Sequence, residues 1–111
     1  MSAPYNFTQA EEIYDDFEDL TDTELVIHTE EGPVKCGVMT VCISPFGEEE
    51  KNAFMEHYIE THDTMTALDQ YDGDDYDVLI IASRLDDEEV IIAQSIEEYV
   101  ASNGVKYNFP S

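Results

Sequence analysis

The chain has 111 residues, of which 27 are Asp or Glu and only four are Lys or Arg, for a formal net charge of −23. A domain of this size ordinarily carries a net charge of magnitude about 2–8, so charge alone excludes direct binding to nucleic acid or to an anionic membrane. With 42% hydrophobic residues, five Phe and seven Tyr, and with acid interleaved among apolar positions, the chain is too apolar and too patterned for a disordered acidic tail. It reads as one domain over residues 1–111.

Residues 1–7 are expected to form a short extended arm. The first ten residues lack the basic start and apolar run of a secretory leader. No stretch approaches the ~18 apolar residues of a membrane span, which makes a cytoplasmic location the expectation. Thr8-Gln9-Ala10-Glu11 has the spacing of a capping box. Behind it Ala10, Ile13, Phe17 and Leu20 recur at helical spacing as one apolar stripe. The remaining positions of that helix are Glu11, Glu12, Asp15, Asp16, Glu18 and Asp19, with no Lys or Arg three or four residues away to form helix pairs. Acid at the C-terminal end opposes the helix dipole, so stability alone does not account for this segment.

Glu24–Thr29 (ELVIHT) predicts a strand, 30–33 a turn, and Val34–Ile43 a second strand completing an antiparallel hairpin. Gly37 is the expected site of a bulge. Cys36 and Cys42 fall in one strand about 20 Å apart, beyond disulfide reach, and read as buried free thiols of a reducing compartment. Ser44-Pro45 predicts the start of a second helix, with Ser as N-cap and Pro at the first helical position. Glu48, Glu49 and Glu50 fill its first turns, and Phe54, Met55, Tyr58 and Ile59 form its buried face. It is expected to end near His62, with one further turn through Leu68. Residues 69–77 (DQYDGDDYD) form an acidic loop around Gly73.

Val78–Ala82 (VLIIA) is a buried strand. Residues 86–103 have two readings. In one, Asp86-Asp87-Glu88-Glu89 is a turn, Val90–Ala93 a hairpin partner, and Ser95–Glu98 a capping box opening a helix closed by Gly104. In the other, the whole segment is one helix. Three consecutive β-branched residues favour the hairpin. Val105–Phe109 can add an edge strand. The expected fold is a small α+β domain: an antiparallel sheet of about four strands in two hairpins, with helices packed on one face. The Val78–Ala82 and Val90–Ala93 runs are the candidate edges for a homodimer.

Chemical motifs are scarce. With Gly73 at position 6 of an EF-hand loop, positions 1 and 12 fall on Leu68 and Leu79, and the pattern fails. His57 and His62 lie about 140° apart around a helix and do not form a zinc-helix pair; His28 is isolated in a strand. Carboxylate pairs are too numerous to mark an acid–base site, and no phosphate loop, nucleophile elbow or Cys–His arrangement is present. The expectation is a non-enzyme without cofactor or metal.

The acid itself is the functional signal. Six carboxylates between Glu11 and Asp19 give about one charge per 2 Å of helix, comparable with one per about 1.7 Å of duplex DNA. The candidate partner-binding residues are Glu11, Glu12, Asp15, Asp16, Glu18 and Asp19, then Asp72, Asp74, Asp75 and Asp77, then Asp86, Asp87, Glu88 and Glu89. Tyr14, Tyr71 and Tyr76 are aromatic anchors set in acid. In size and acidity the chain resembles the small DNA mimics that phages and mobile elements direct at restriction enzymes, CRISPR effectors and repair glycosylases. That resemblance implies an inhibitor of a basic nucleic-acid-handling protein, acting in the cytoplasm of a host, and carries over no individual residue. Two other readings stay open. One is an immunity protein or antitoxin that plugs a nuclease toxin. The other is a halophile domain whose acid serves solvation, disfavoured by nine Ile against seven Ala and by a single Arg.

Overall fold

The computed structural model describes residues 4–110. Four strands, β1 (Glu24–Thr29), β2 (Gly32–Pro45), β3 (Tyr76–Arg84) and β4 (Ile91–Ser95), form one antiparallel sheet in the order β1-β2-β3-β4. Four helices accompany it: α1 (Phe7–Phe17), continued by a 3₁₀ turn at Glu18–Leu20, then α2 (Glu48–Thr61), α3 (Thr64–Asp69) and α4 (Ile96–Asn103). The α+β class and the four-stranded antiparallel sheet are as the sequence implies. No helix among the described residues is long and apolar enough to cross a membrane.

The helices do not share one face. Along β3, Val78 and Ile80 pack with Ala10, Ile13 and Phe17 of α1 and Ile96 of α4. Their alternating neighbours Leu79 and Ile81 pack with Phe54 and Tyr58 of α2 and Ala67 of α3. Successive strand residues point to opposite faces, so the sheet is covered on both sides. The uninterrupted VLIIA run follows from this, because a strand buried on both faces has no solvent side to alternate toward. Val78–Ala82 is therefore interior, and of the two runs considered for dimerisation only β4 lies at a sheet edge.

Local chemistry sets several boundaries away from the sequence reading. Asn6, not Thr8, caps α1: its side chain accepts from Gln9 N at 2.8 Å, and Gln9 Oε1 accepts from Asn6 N at 3.0 Å. Phe7 thus belongs to the helix, and Tyr5 of the expected arm bridges to Tyr76; the rest of that arm, residues 1–3, lies outside the described residues. Ser44 and Pro45 stay in β2, opposite Asp77 and Tyr76. The ladder to β3 overrides the capping signal, and α2 starts only after Gly47 at φ +121°. The β2 irregularity falls at Met39, between Val38 and Thr40, rather than at Gly37.

α2 ends on His62 in the left-handed conformation. Asp63 then caps the separate α3, its carboxyl held below the usual range by hydrogen bonds from the Thr66 hydroxyl and the Thr66 and Met65 amides. Ile59, expected in the core, is half exposed. The hairpin reading of 86–103 is the observed one, with Ser95 capping α4 and Gly104 closing it at φ +65°. Residues 105–110 form no edge strand. The Tyr107 ring instead packs edge-on against Phe17 at 4.8 Å. Cys36 and Cys42 are both buried free thiols, and burial pushes Cys42 up to about 12.

Candidate interaction surface

Glu11, Glu12, Asp15, Asp16, Glu18 and Asp19 are all exposed. Within α1 the first four occupy an arc of about 140°, opposite the buried Ala10, Ile13 and Phe17. The chain then tightens into the 3₁₀ turn, which rises about 2 Å per residue, so the six charges span roughly 13 Å at about one per 2 Å. The linear charge density expected from the sequence survives the change of helix type.

The cations are elsewhere. Two ion pairs occur among the described residues: Lys51–Asp77 at 2.7 Å and Arg84–Asp86 at 2.7 Å. Neither touches α1. Of its acids, Asp16 accepts a hydrogen bond from the Tyr107 hydroxyl at 2.6 Å. Burial first, then this bond to an acidic neighbour, drives the Tyr107 phenol above its ordinary range.

The other acidic clusters are separated in space. Asp72, Asp74 and Asp75 are exposed ahead of the first residue of β3, Tyr76, while Asp86, Asp87, Glu88 and Glu89 are exposed beyond its last, Arg84. The length of β3 puts these groups about 26 Å apart. They decorate opposite ends of the sheet rather than extending one surface. Asp77 leaves the exposed set altogether: it is 3% exposed, bound by Lys51, and accepts from Val78 N at 2.8 Å. Asp86 is partly neutralised by the Arg84 fork, which holds its carboxyl below the usual range.

The three tyrosines have different roles. Tyr71 donates its hydroxyl to the Asp75 carbonyl at 2.8 Å and so folds the loop around Gly73. Its ring meets Tyr76 edge-on at 5.7 Å, and Tyr76 in turn meets Phe7 at 5.3 Å. Both rings are therefore engaged within the fold. Tyr14 instead lines a groove of about 280 Å³ with Phe7, Glu11 and Asp15 of α1, residues Thr40–Ile43 of β2, and Thr64, Met65 and Leu68 of α3. The sequence reading missed this groove. The sequence pattern assigns Phe7 to the arm and Met65 to no site, yet they are 43% and 76% exposed. Phe7, Glu11, Tyr14 and Asp15 at i, i+4, i+7 and i+8 are the signal that could have found it. Among the described residues no group of three or more His, Cys, Asp or Glu is disposed to hold a metal ion.

Comparison with known proteins returns no match: no family model, no curated protein and no solved structure is significantly similar to this chain.

Proposed function

We propose that this protein is a DNA mimic that competitively occupies the basic nucleic-acid-binding cleft of a DNA- or RNA-handling protein. One observation carries the reading: the six exposed carboxylates of α1 and its 3₁₀ extension approach the linear charge density of duplex DNA and form no ion pair among the described residues. A cleft that binds DNA by releasing condensed counterions gains free energy in the same way by releasing those gathered on this helix. Association is steered by the field of the whole chain and weakens as salt rises. The inhibitor has no bond to make or break, so no catalytic group is assigned. Restriction, CRISPR-type and repair enzymes are the target classes whose clefts fit this chemistry.

The test is affinity capture from nuclease-treated bacterial lysate with the protein as bait and a salt gradient for elution. One dominant nucleic-acid-handling protein, retained at physiological salt and displaced by duplex DNA, supports mimicry. Capture of a nuclease at its active site moves the protein to the immunity or antitoxin class, where the physics is the same. A smear of basic proteins leaving at low salt defeats the reading and leaves the acid as solvation.

A further inference from the structure

The groove between α1 and α3 opens where the sheet narrows. β1 pairs with β2 only as far as Gly37, and beyond that point α1 and α3, which pack on opposite faces of the sheet, supply two walls. The floor, Thr40–Ile43, is closed: Val41 and Cys42 are 2% and 3% exposed within the core. An occupant therefore meets the side chains of the walls and not the strand backbone.

The two walls differ in chemistry. α3 presents Met65 and Leu68; α1 presents the Phe7 and Tyr14 rings together with the exposed carboxylates of Glu11 and Asp15, one helical turn apart. Exposed apolar side chains scattered singly need no explanation, but Phe7 and Met65 share one cavity. No Lys, Arg or His lines it, and both ion pairs among the described residues lie elsewhere.

Size and charge together select the occupant. A groove of about 280 Å³ falls below the about 300–1,000 Å³ of sites for drug-sized ligands and suits one long side chain. Two carboxylates require that side chain to be cationic, and the apolar wall requires a stem that can lie along it. Arginine meets both demands: its methylene stem covers apolar surface, and its planar guanidinium both stacks on an aromatic ring and bonds carboxylate oxygens as a fork. The lysine ammonium is a strongly hydrated point charge with no plane to stack. A second copy of this chain brings another −23 and a single Arg, and that Arg84 is already forked by Asp86.

We propose that the α1–α3 groove is an arginine pocket that takes one guanidinium side chain from the partner, its head at Glu11 and Asp15 against the Tyr14 ring and its stem along Met65 and Leu68. The proposal rests on the mimic reading for the source of that arginine, a basic cleft. It adds a specific anchor to an otherwise diffuse attraction.

The probe is N-acetyl-arginine amide, titrated into the full chain and followed by amide and methionine-methyl chemical shifts, with N-acetyl-lysine amide as its counterpart. Saturable shifts are expected at Tyr14 and Met65, with the lysine compound about threefold weaker or more. The double variant Glu11→Gln/Asp15→Asn should weaken arginine binding at least about threefold. Glu88→Gln/Glu89→Gln removes the same charge from the β3–β4 turn and should leave it unchanged; the same spectra report whether each variant is folded. Absence of saturable shifts in the groove, or equal responses to arginine and lysine and to the two double variants, would overturn the pocket while leaving the mimic reading intact. The mimic reading fails separately, in a captured target that this chain binds without displacing DNA, and that result leaves the arginine preference of the groove standing.

Discussion

Asp77 and Asp16 are both carboxylates of a chain with few cations, and they are used in opposite ways. Asp77 is buried at the start of β3 and receives Lys51 at 2.7 Å and the Val78 amide at 2.8 Å. Asp16 is exposed among like charges and, among the described residues, receives the Tyr107 hydroxyl and no cation within ion-pair distance. Arg84 likewise serves the β3–β4 turn through Asp86. Lys51 and Arg84 each meet a carboxylate at an end of β3, whereas along α1 no ion pair forms among the described residues. On the mimic reading, the α1 acid serves a partner rather than the fold, and its mutual repulsion opposes folding.

Removing a cation from the first region should have the largest effect. Lys51→Ala leaves the Asp77 carboxylate buried and uncompensated, a loss expected to cost about 3 kcal/mol in denaturant titrations. The contrasting change is quadruple reversal of Glu11, Glu12, Asp15 and Glu18 to Lys. It should leave the melting temperature unchanged or higher, because it relieves repulsion, and weaken partner binding at least ~100-fold, or about 2.7 kcal/mol. A reversed variant that melts well below the wild type would show that the α1 acid supports the fold, and the contrast between the two regions would disappear.

Smaller effects sharpen the same comparison. Asn6→Ala removes the cap of α1 and should cost about 1 kcal/mol. Tyr5 donates its hydroxyl to Glu97 at 2.8 Å and Tyr107 donates to Asp16. Burial first and these bonds second raise both phenols, while burial alone raises Cys42 to about 12. Groups that hold protons more tightly when folded stabilise the fold fully below their unfolded values, and that stability drains away as pH rises through the folded ones. Circular dichroism should therefore show stability lost progressively above about pH 9, with a shallower loss in Tyr107→Phe. The smallest effect is that of salt. Screening should raise the melting temperature by a few degrees at most, saturating as the Debye length falls below the spacing of surface charges. A fold that forms only in molar salt would favour the halophile reading.

Much of this was legible in the sequence because it is local. The Ala10/Ile13/Phe17/Leu20 stripe, the ELVIHT strand, the β3–β4 hairpin and the Ser95 cap each follow from neighbouring residues. Ser44-Pro45 misled because a local helix-start signal competes with a ladder to Tyr76 and Asp77, about thirty residues away. The two-faced sheet was written in VLIIA but outweighed by an expected one-sided architecture. The charge of α1 was readable in full, whereas the burial of Asp77 needed Lys51 from another element. The α1–α3 groove was only half legible. Its helical wall has a sequence period, but its floor exists because β1 is shorter than β2, a difference in length that no residue announces.

The most direct test of the central claim is displacement of duplex DNA from the captured target, measured by equilibrium competition at several salt concentrations. The account predicts that the wild-type chain displaces DNA fully, with an affinity that falls steeply with salt, and that the quadruple α1 reversal does not. A ternary complex of target, DNA and this protein, or equal displacement by the reversed variant, would contradict it.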